Sequence, residues 1–351
     1  MTTLEKIMEQ LKHYDGPPIQ IMEVCGTHTS AILKTGVKDL VSDRIKLISG
    51  PGCPVCVTPA SFVDRLVSLS LQPNTCILSF GDMMKVTGTE ASLTGAKAKG
   101  GHVSLIHSPL QAIKLAEENP DIQYIIAAVG FETTTPSYAL LIDSMVKNNI
   151  KNIKLLTSLK TISPAIGFVC ENVNDIDAFL CPGHVSVIVG SKSFEHLAEL
   201  YHKPFVIAGF DGPQILAAVL AIVYQICDKK GEMKSLYKSV VSYDGNPAAQ
   251  NITQRYFTPY DALWRGIGVI GGSGLRLRDE YAFLDAGTEE EYDRQAAGCS
   301  CSDIILGKLS PEECPLFGGV CTPLSPVGPC MVSAEGACGI YYRFGKRGMT
   351  S

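Results

Sequence analysis

The residues in this chain best equipped for chemistry are cysteines and histidines set in short glycine-rich motifs. Cys25-Gly26-Thr27-His28 places a thiol and an imidazole three residues apart. If a helix starts there, the two share a face, and both side chains are good ligands for iron, copper or zinc. Helix-start N–H groups would also favour the thiolate. The plainer alternative is a buried cysteine beside a capping histidine. Gly50-Pro51-Gly52-Cys53-Pro54-Val55-Cys56 carries a C-x-x-C pair. That spacing suits half of a metal site or a dithiol that cycles with a disulfide, and the prolines stiffen the loop that holds it.

The C-terminal region holds Cys299, Cys301, Cys314, Cys321, Cys330 and Cys338 in a Gly/Pro-rich stretch. Four thiolates suffice for a [4Fe–4S] cluster, and a structural zinc site is the alternative. The remaining two could form a dithiol beside the metal centre. At this level the sequence does not say which four bind. Gly130-Phe131-Glu132-Thr133-Thr134-Thr135-Pro136 offers a carboxylate and hydroxyls that could bind a polar ligand, relay a proton or cap a helix. Cys181-Pro182-Gly183-His184 adds a second histidine, for which a structural hydrogen bond is the plainer reading. Gly266-Ile267-Gly268-Val269-Ile270-Gly271 fits G-x-G-x-x-G but lacks the preceding strand and following helix of a nucleotide fingerprint, and it reads as a glycine-rich turn.

The elements that must position these groups follow from the apolar pattern. Short runs at 19–24, 45–49, 75–80, 102–107, 122–129, 153–159, 185–190 and 205–210 alternate with helical stretches. Continuous apolar strands between helices imply parallel β/α units covered on both faces. The expected fold is α/β: two parallel-sheet, Rossmann-like domains over 1–130 and 131–230, and a smaller Cys-rich domain over 231–351. Gly81-Asp82, Gly130-Phe131-Glu132 and Gly209-Phe210-Asp211 each put a glycine and a carboxylate just beyond a strand. Ligands of open α/β sheets bind at such carboxyl ends, so these acids and the first two cysteine motifs are expected along that kind of edge.

The chain has 351 residues, 46% hydrophobic and 19% charged, with a formal net charge of -5. This composition describes a compact protein and argues against nucleic acid or an anionic membrane surface as partner. The apolar stretch Ile215–Tyr224 is too short to span a bilayer and reads as a core helix. No secretory signal opens the sequence, so a cytoplasmic location is expected. In that compartment thirteen cysteines point to metal ligands or redox thiols rather than structural disulfides. Cys76, Cys170 and Cys227 lie in apolar or helical runs and read as small buried residues.

Taken together, CGTHT at Cys25–Thr29, GPGCPVC at Gly50–Cys56, GFETTTP at Gly130–Pro136, PGHVS at Pro182–Ser186 and the spacing Cys299-x14-Cys314-x6-Cys321-x16-Cys338 resemble the HypD family of [NiFe]-hydrogenase maturation factors. A small departure is Thr87, where many relatives are expected to have proline. The resemblance implies two α/β domains with a third region carrying a [4Fe–4S] cluster on Cys299, Cys314, Cys321 and Cys338. It implies a scaffold that, with a HypC-type chaperone, holds an iron while it receives two cyanides and one carbon monoxide. Cyanide would come from a HypE-type partner supplied by a HypF-type carbamoyltransferase, and the product would reach the hydrogenase large subunit through the chaperone. On this resemblance Cys25 is the thiolate ligand of the transient iron, and His28 is a nearby ligand or proton donor. Cys53 and Cys56 are the redox dithiol, Cys301 and Cys330 a relay pair, and Glu132 and His184 supporting groups. Two other readings compete: a stand-alone iron–sulfur thiol/disulfide oxidoreductase, and a zinc-stabilised interaction protein.

Overall fold

The computed structural model describes residues 2–287 and 292–345. Its strands in chain order are β1 (Ile19–Glu23), β2 (Ile45–Ser49), β3 (Thr75–Ser79), β4 (Val103–Leu105), β5 (Gln123–Gly130), β6 (Ile153–Lys160), β7 (Ala178–Cys181), β8 (Phe205–Ile207), β9 (Met233–Ser235), β10 (Phe257–Trp264) and β11 (Gly268–Leu277). They form two sheets, ordered β2-β1-β7-β8-β9 and β10-β11-β6-β5-β3-β4. The first is wholly parallel. The second is parallel from β4 to β6 and antiparallel through β11 and β10.

Alternation along the strands explains the layering. In β1, Ile19 and Ile21 face one core with the helix Gly212–Cys227, and Met22 faces the opposite core, which also contains the cysteine-rich region. In β5, Tyr124, Ile126 and Ala128 face one side and Ile125, Ala127 and Val129 the other. Both sheets are therefore covered on both faces, as their unbroken apolar runs require. Ile215–Tyr224 does lie within a core helix, and no helix among the described residues is long and apolar enough to cross a membrane.

The sheets do not partition the chain at 130. β1 and β2 pair with β7–β9, whereas β3–β6 pair with the hairpin β10–β11, so the chain leaves the first sheet after β2 and returns at β7. Contiguous strand–helix texture cannot reveal such a crossing. A second correction concerns 185–190: 185–189 belong to the helix Gly183–Val189 and Gly190 is its C-cap, while the strand is Ala178–Cys181 just before it. The β-branched residues there disfavour a helix only mildly, and packing overrides them. The hairpin β10–β11 was also hidden, because Pro259 and the glycines of β11 look like breakers. Pro259 is tolerated because β10 is an edge strand. Contrary to expectation a strand, β10, does precede the G-x-G-x-x-G sequence; Gly266 and Ile267 form the hairpin turn and 268–271 open β11, with Gly266 and Gly268 at positive φ and no helix opening there.

Trp264 is fully buried at the end of β10 and its indole N–H donates to Ser273 Oγ at 2.7 Å. Ser273→Ala leaves that donor without a buried partner. The expected cost is about 1–3 kcal/mol, read as a lower urea midpoint with unchanged slope; an unaltered midpoint would refute this account of the hairpin.

Candidate functional site

In each sheet the strand order reverses at one point, and the crevice there is where open α/β sheets bind ligands. In the first sheet this lies between β1 and β7, the strands that lead into Cys25 and into Pro182-Gly183-His184. In the second it lies between β3 and β5, which lead into Gly81-Asp82 and Phe131-Glu132.

Cys25 is the N-cap of the helix Gly26–Lys34, with extended backbone at φ -159° and ψ 120°. His28, one turn on, is fully buried, and its Nε2–H donates to the Gly209 carbonyl at 3.1 Å. That bond leaves Nδ1 as an enclosed lone pair with no hydrogen-bond partner. The Phe210 ring is packed between the two histidines, with centroids 4.7 Å from His28 and 4.2 Å from His184. Burial pushes His28 down to about 4, so it is neutral at ordinary pH. The helix start does not make Cys25 a ready thiolate. Burial outweighs the N–H groups of His28 and Thr27 and raises the thiol to about 11.

The GPGCPVC loop lies directly on Cys25. A Cβ at Gly52 would stand 2.5 Å from the Cys25 nitrogen and 2.7 Å from its Cα, closer than side-chain atoms approach backbone. Cys53 and Cys56 are joined as a disulfide, with Cα atoms 5.3 Å apart. The third wall is the C-terminal segment: a Cβ at Gly26 would meet the Glu335 carbonyl oxygen at 2.3 Å. Asp82 pins that segment, accepting from Ser333 Oγ and Ala334 N, each at 3.0 Å. One cleft is consequently lined by Gly26, Gly52, Cys53, Cys56, Cys330 and Glu335. The three strand-exit acids do not converge: Asp82 clamps the C-terminal segment, and Asp211 caps the helix Gly212–Cys227 through Gln214 N. Glu132 Oε1 accepts from Ile162 N at 2.9 Å while its Oε2 is buried without a partner, and burial raises its carboxyl to about 7.

Four of the six C-terminal cysteines are neighbours in a row. Cys301 lies within hydrogen-bonding reach of Cys299 and Cys330, and Cys330 within reach of Cys338. S–H donation from Cys299 and Cys330, then the nearby Arg265 charge, pushes the Cys301 thiol well down, while Cys330 is pushed well up. Cys314, Cys321 and Cys338 are buried and Cys299 half-buried; Val327 N–H points at Cys321 Sγ at 3.3 Å, the kind of donor that tunes cluster sulfurs. The donor chemistry thus fits a thiolate-held iron–sulfur centre. Its geometry is looser: among the described residues no three Cys, His, Asp or Glu side chains surround a single metal position.

The sequence reading passed over Glu23. This carboxylate is buried at the end of β1; its Oε1 accepts from Thr29 Oγ1 at 2.5 Å and its Oε2 from Cys25 N at 3.4 Å. A lone acid inside an apolar run, two residues before a cysteine, was the available signal. Burial raises Glu23 to about 7 from its ordinary 4.5. The folded protein therefore binds this proton more tightly than the unfolded chain does. The group's contribution to stability is full below about pH 4.5 and is lost as pH rises through 7. Glu23→Gln should flatten the fall in urea midpoint between pH 5 and 8 and raise the midpoint at pH 8. A pH profile parallel to the parent's would exclude the buried carboxyl as its cause.

Comparison with known proteins gives the family. A family model described as "HypD: Hydrogenase formation hypA family" matches residues 2–345. The chain is 37% identical over 356 aligned residues to the hydrogenase maturation factor HypD of Escherichia coli K12, covering 98% of this chain and 95% of that protein. It is 36% identical to the HypD of Rhodobacter capsulatus (98% and 94% covered) and to that of Azotobacter vinelandii (93% and 90% covered). With its cysteine motifs meeting in one cleft and its whole length matched, the chain belongs to the HypD family of hydrogenase maturation factors.

Proposed function

We propose that this chain is the scaffold on which, together with a HypC-type chaperone, an iron acquires its cyanide and carbon monoxide ligands before transfer to a [NiFe]-hydrogenase large subunit. The observation that carries the reading is the seating of the C-x-x-C loop on Cys25: Gly52 stands against the Cys25 main chain, and Cys53 and Cys56 line one cleft with Gly26, Cys330 and Glu335. Cys25 supplies a soft ligand suited to low-spin iron bearing strong-field ligands. His28 Nδ1 offers a lone pair in the same region, and its ring is held by the Gly209 carbonyl and Phe210.

Cleaving a carrier–cyano bond so that cyanide and the carrier both leave as anions consumes two electrons. Oxidation of the Cys53/Cys56 dithiol to the disulfide releases two electrons and two protons. The thiols of Cys301 and Cys330 restore it by exchange: their S–H protons pass to Cys53 and Cys56 as one disulfide opens and another closes. A cluster held by Cys299, Cys314, Cys321 and Cys338 would supply one-electron reduction when bound. The HypE-type protein is the cyanide donor in this scheme. The disulfide alone would also suit a stand-alone oxidoreductase acting on a small disulfide or a protein; with Cys53 and Cys56 5% and 1% exposed, the burial counts against the protein substrate.

Anaerobic co-purification with the chaperone should yield infrared bands of iron-bound cyanide and carbon monoxide, and Cys25→Ala should abolish them while leaving the visible iron–sulfur absorption. Bands that persist in the variant would refute the role of Cys25. Cys314→Ala should lower the iron and sulfide content of the anaerobic protein; unchanged iron would remove Cys314 from the ligand set.

A further inference from the structure

We propose that the ion pair between buried Arg265 and half-buried Asp293 is a positioning element that holds the Cys53–Cys56 loop against Cys301 and Cys330. It deepens the electron-relay reading given above and rests on it only for its purpose, since the geometry is independent. Arg265 ends the first arm of the β10–β11 hairpin. Its backbone N–H donates to the Val57 carbonyl at 2.9 Å, one residue beyond Cys56. Asp293 Oδ1 accepts from Ala60 N at 3.3 Å, and its Oδ2 accepts from Gly266 N at 2.8 Å. The downstream end of the loop is thus tied at Val57 and Ala60 to two adjoining residues of one ion pair.

The guanidinium makes the link to the other cysteines. Its Nε lies 3.8 Å from Asp293 Oδ1, and its Nη1 and Nη2 donate to the Thr87 carbonyl at 3.1 and 3.2 Å. Nη2 also reaches the Arg294 carbonyl at 3.4 Å. Only the carbonyl of Thr87 is used, so a proline at that position would serve equally. The same guanidinium lines a small cavity with Cys299, Cys301, Gly328 and Pro329. The Pro329 carbonyl oxygen is 3.9 Å from Cys56 Sγ, and Cys330 follows it. Both side chains of the pair are nearly excluded from solvent. A buried ion pair is a weak source of stability, because desolvation offsets attraction. A fixed, forked donor that bridges several carbonyls is by contrast a good spacer.

The test uses the full chain with Cys53→Ser, which frees the Cys56 thiol. Mild oxidation with a small aromatic disulfide should then link Cys56 to Cys330, quantified by non-reducing peptide mass mapping. Adding Arg265→Met should cut the yield at least tenfold, and Arg265→Lys should recover only part of it, because an ammonium can pair with Asp293 but cannot bridge the Thr87 and Arg294 carbonyls as the fork does. Adding Ser273→Ala, which weakens the same hairpin through Trp264 while leaving both side chains of the ion pair in place, should leave the yield unchanged. The proposal is overturned if Cys53→Ser alone gives no such link, if Arg265→Met links as well as its parent, or if Ser273→Ala lowers the yield as much. In the chain with all its cysteines, Arg265→Met should also slow reduction of the Cys53–Cys56 disulfide by reduced Cys301 and Cys330. Should the parent chain show no such reduction while the cross-link still depends on Arg265, the relay reading fails and the positioning role stands.

Discussion

The site depends on backbone approaching backbone more closely than any side chain would permit. Gly52 lets the C-x-x-C loop rest on the amide and Cα of Cys25, and Gly26 lets the C-terminal segment rest on the first turn of the following helix. A methyl group at either position would have to displace main chain, not the end of a flexible side chain. Cys25 is buried because of these two contacts: segments from three parts of the sequence close over it, and their thickness is that of a peptide. Burial in turn sets the electrostatic character of the cleft, since water is excluded from it by main chain that cannot move aside cheaply.

Such contacts need a rigid platform, and the two sheets provide it. Each reversal of strand order leaves a crevice at its carboxyl edge, and the C-terminal segment touches both. Asp82, beyond β3 of the second sheet, holds Ser333 and Ala334, and the next residue, Glu335, meets Gly26 beyond β1 of the first. The cysteine-rich region is therefore a wedge between two sheet edges rather than an appended module. The C-terminal helix Ala337–Phe344 reinforces this, laying Tyr341 and Phe344 against Lys38 and Lys34 of the segment that follows Cys25. The chain's crossing from the first sheet to the second and back is what allows one segment to reach both edges.

The sequence was most legible where chemistry and periodicity coincide. Short apolar runs such as 19–24, 75–80 and 122–129 read correctly as strands because a run apolar on both faces fits a covered parallel sheet. Cys25-Gly26-Thr27-His28 read correctly as a helix start, whereas the close approach of backbone at Gly26 and Gly52 was not legible. Pairing between distant strands was not legible: nothing local in Ala178–Cys181 says that it neighbours β1 rather than β6. Nor was the hairpin β10–β11, whose Pro259 and glycines resemble loop residues until the edge position is known. Arg265 and Glu23 were missed for a related reason. A charged residue in a sequence is assumed to face water, and only coordinates reveal a guanidinium enclosed by carbonyls or a carboxylate turned back onto a helix cap.

The buried ionisable groups at and beyond the carboxyl ends of β1 and β5 point the same way. Glu23 and Glu132 are raised to about 7, His28 is lowered to about 4 and Cys25 is raised to about 11, all chiefly by loss of water. Each shift favours the neutral form, so the interior suppresses charge of either sign. A thiol kept protonated by burial is a poor nucleophile toward passing electrophiles. It becomes a ligand only when a cation arrives to replace the proton, because metal binding to a thiol releases one. On the scaffold reading, the same burial that protects Cys25 when no iron is bound makes its ionisation conditional on the cargo. On the same reading the neighbouring Cys53–Cys56 pair, itself 5% and 1% exposed, would hand electrons to the cargo out of reach of dissolved oxidants.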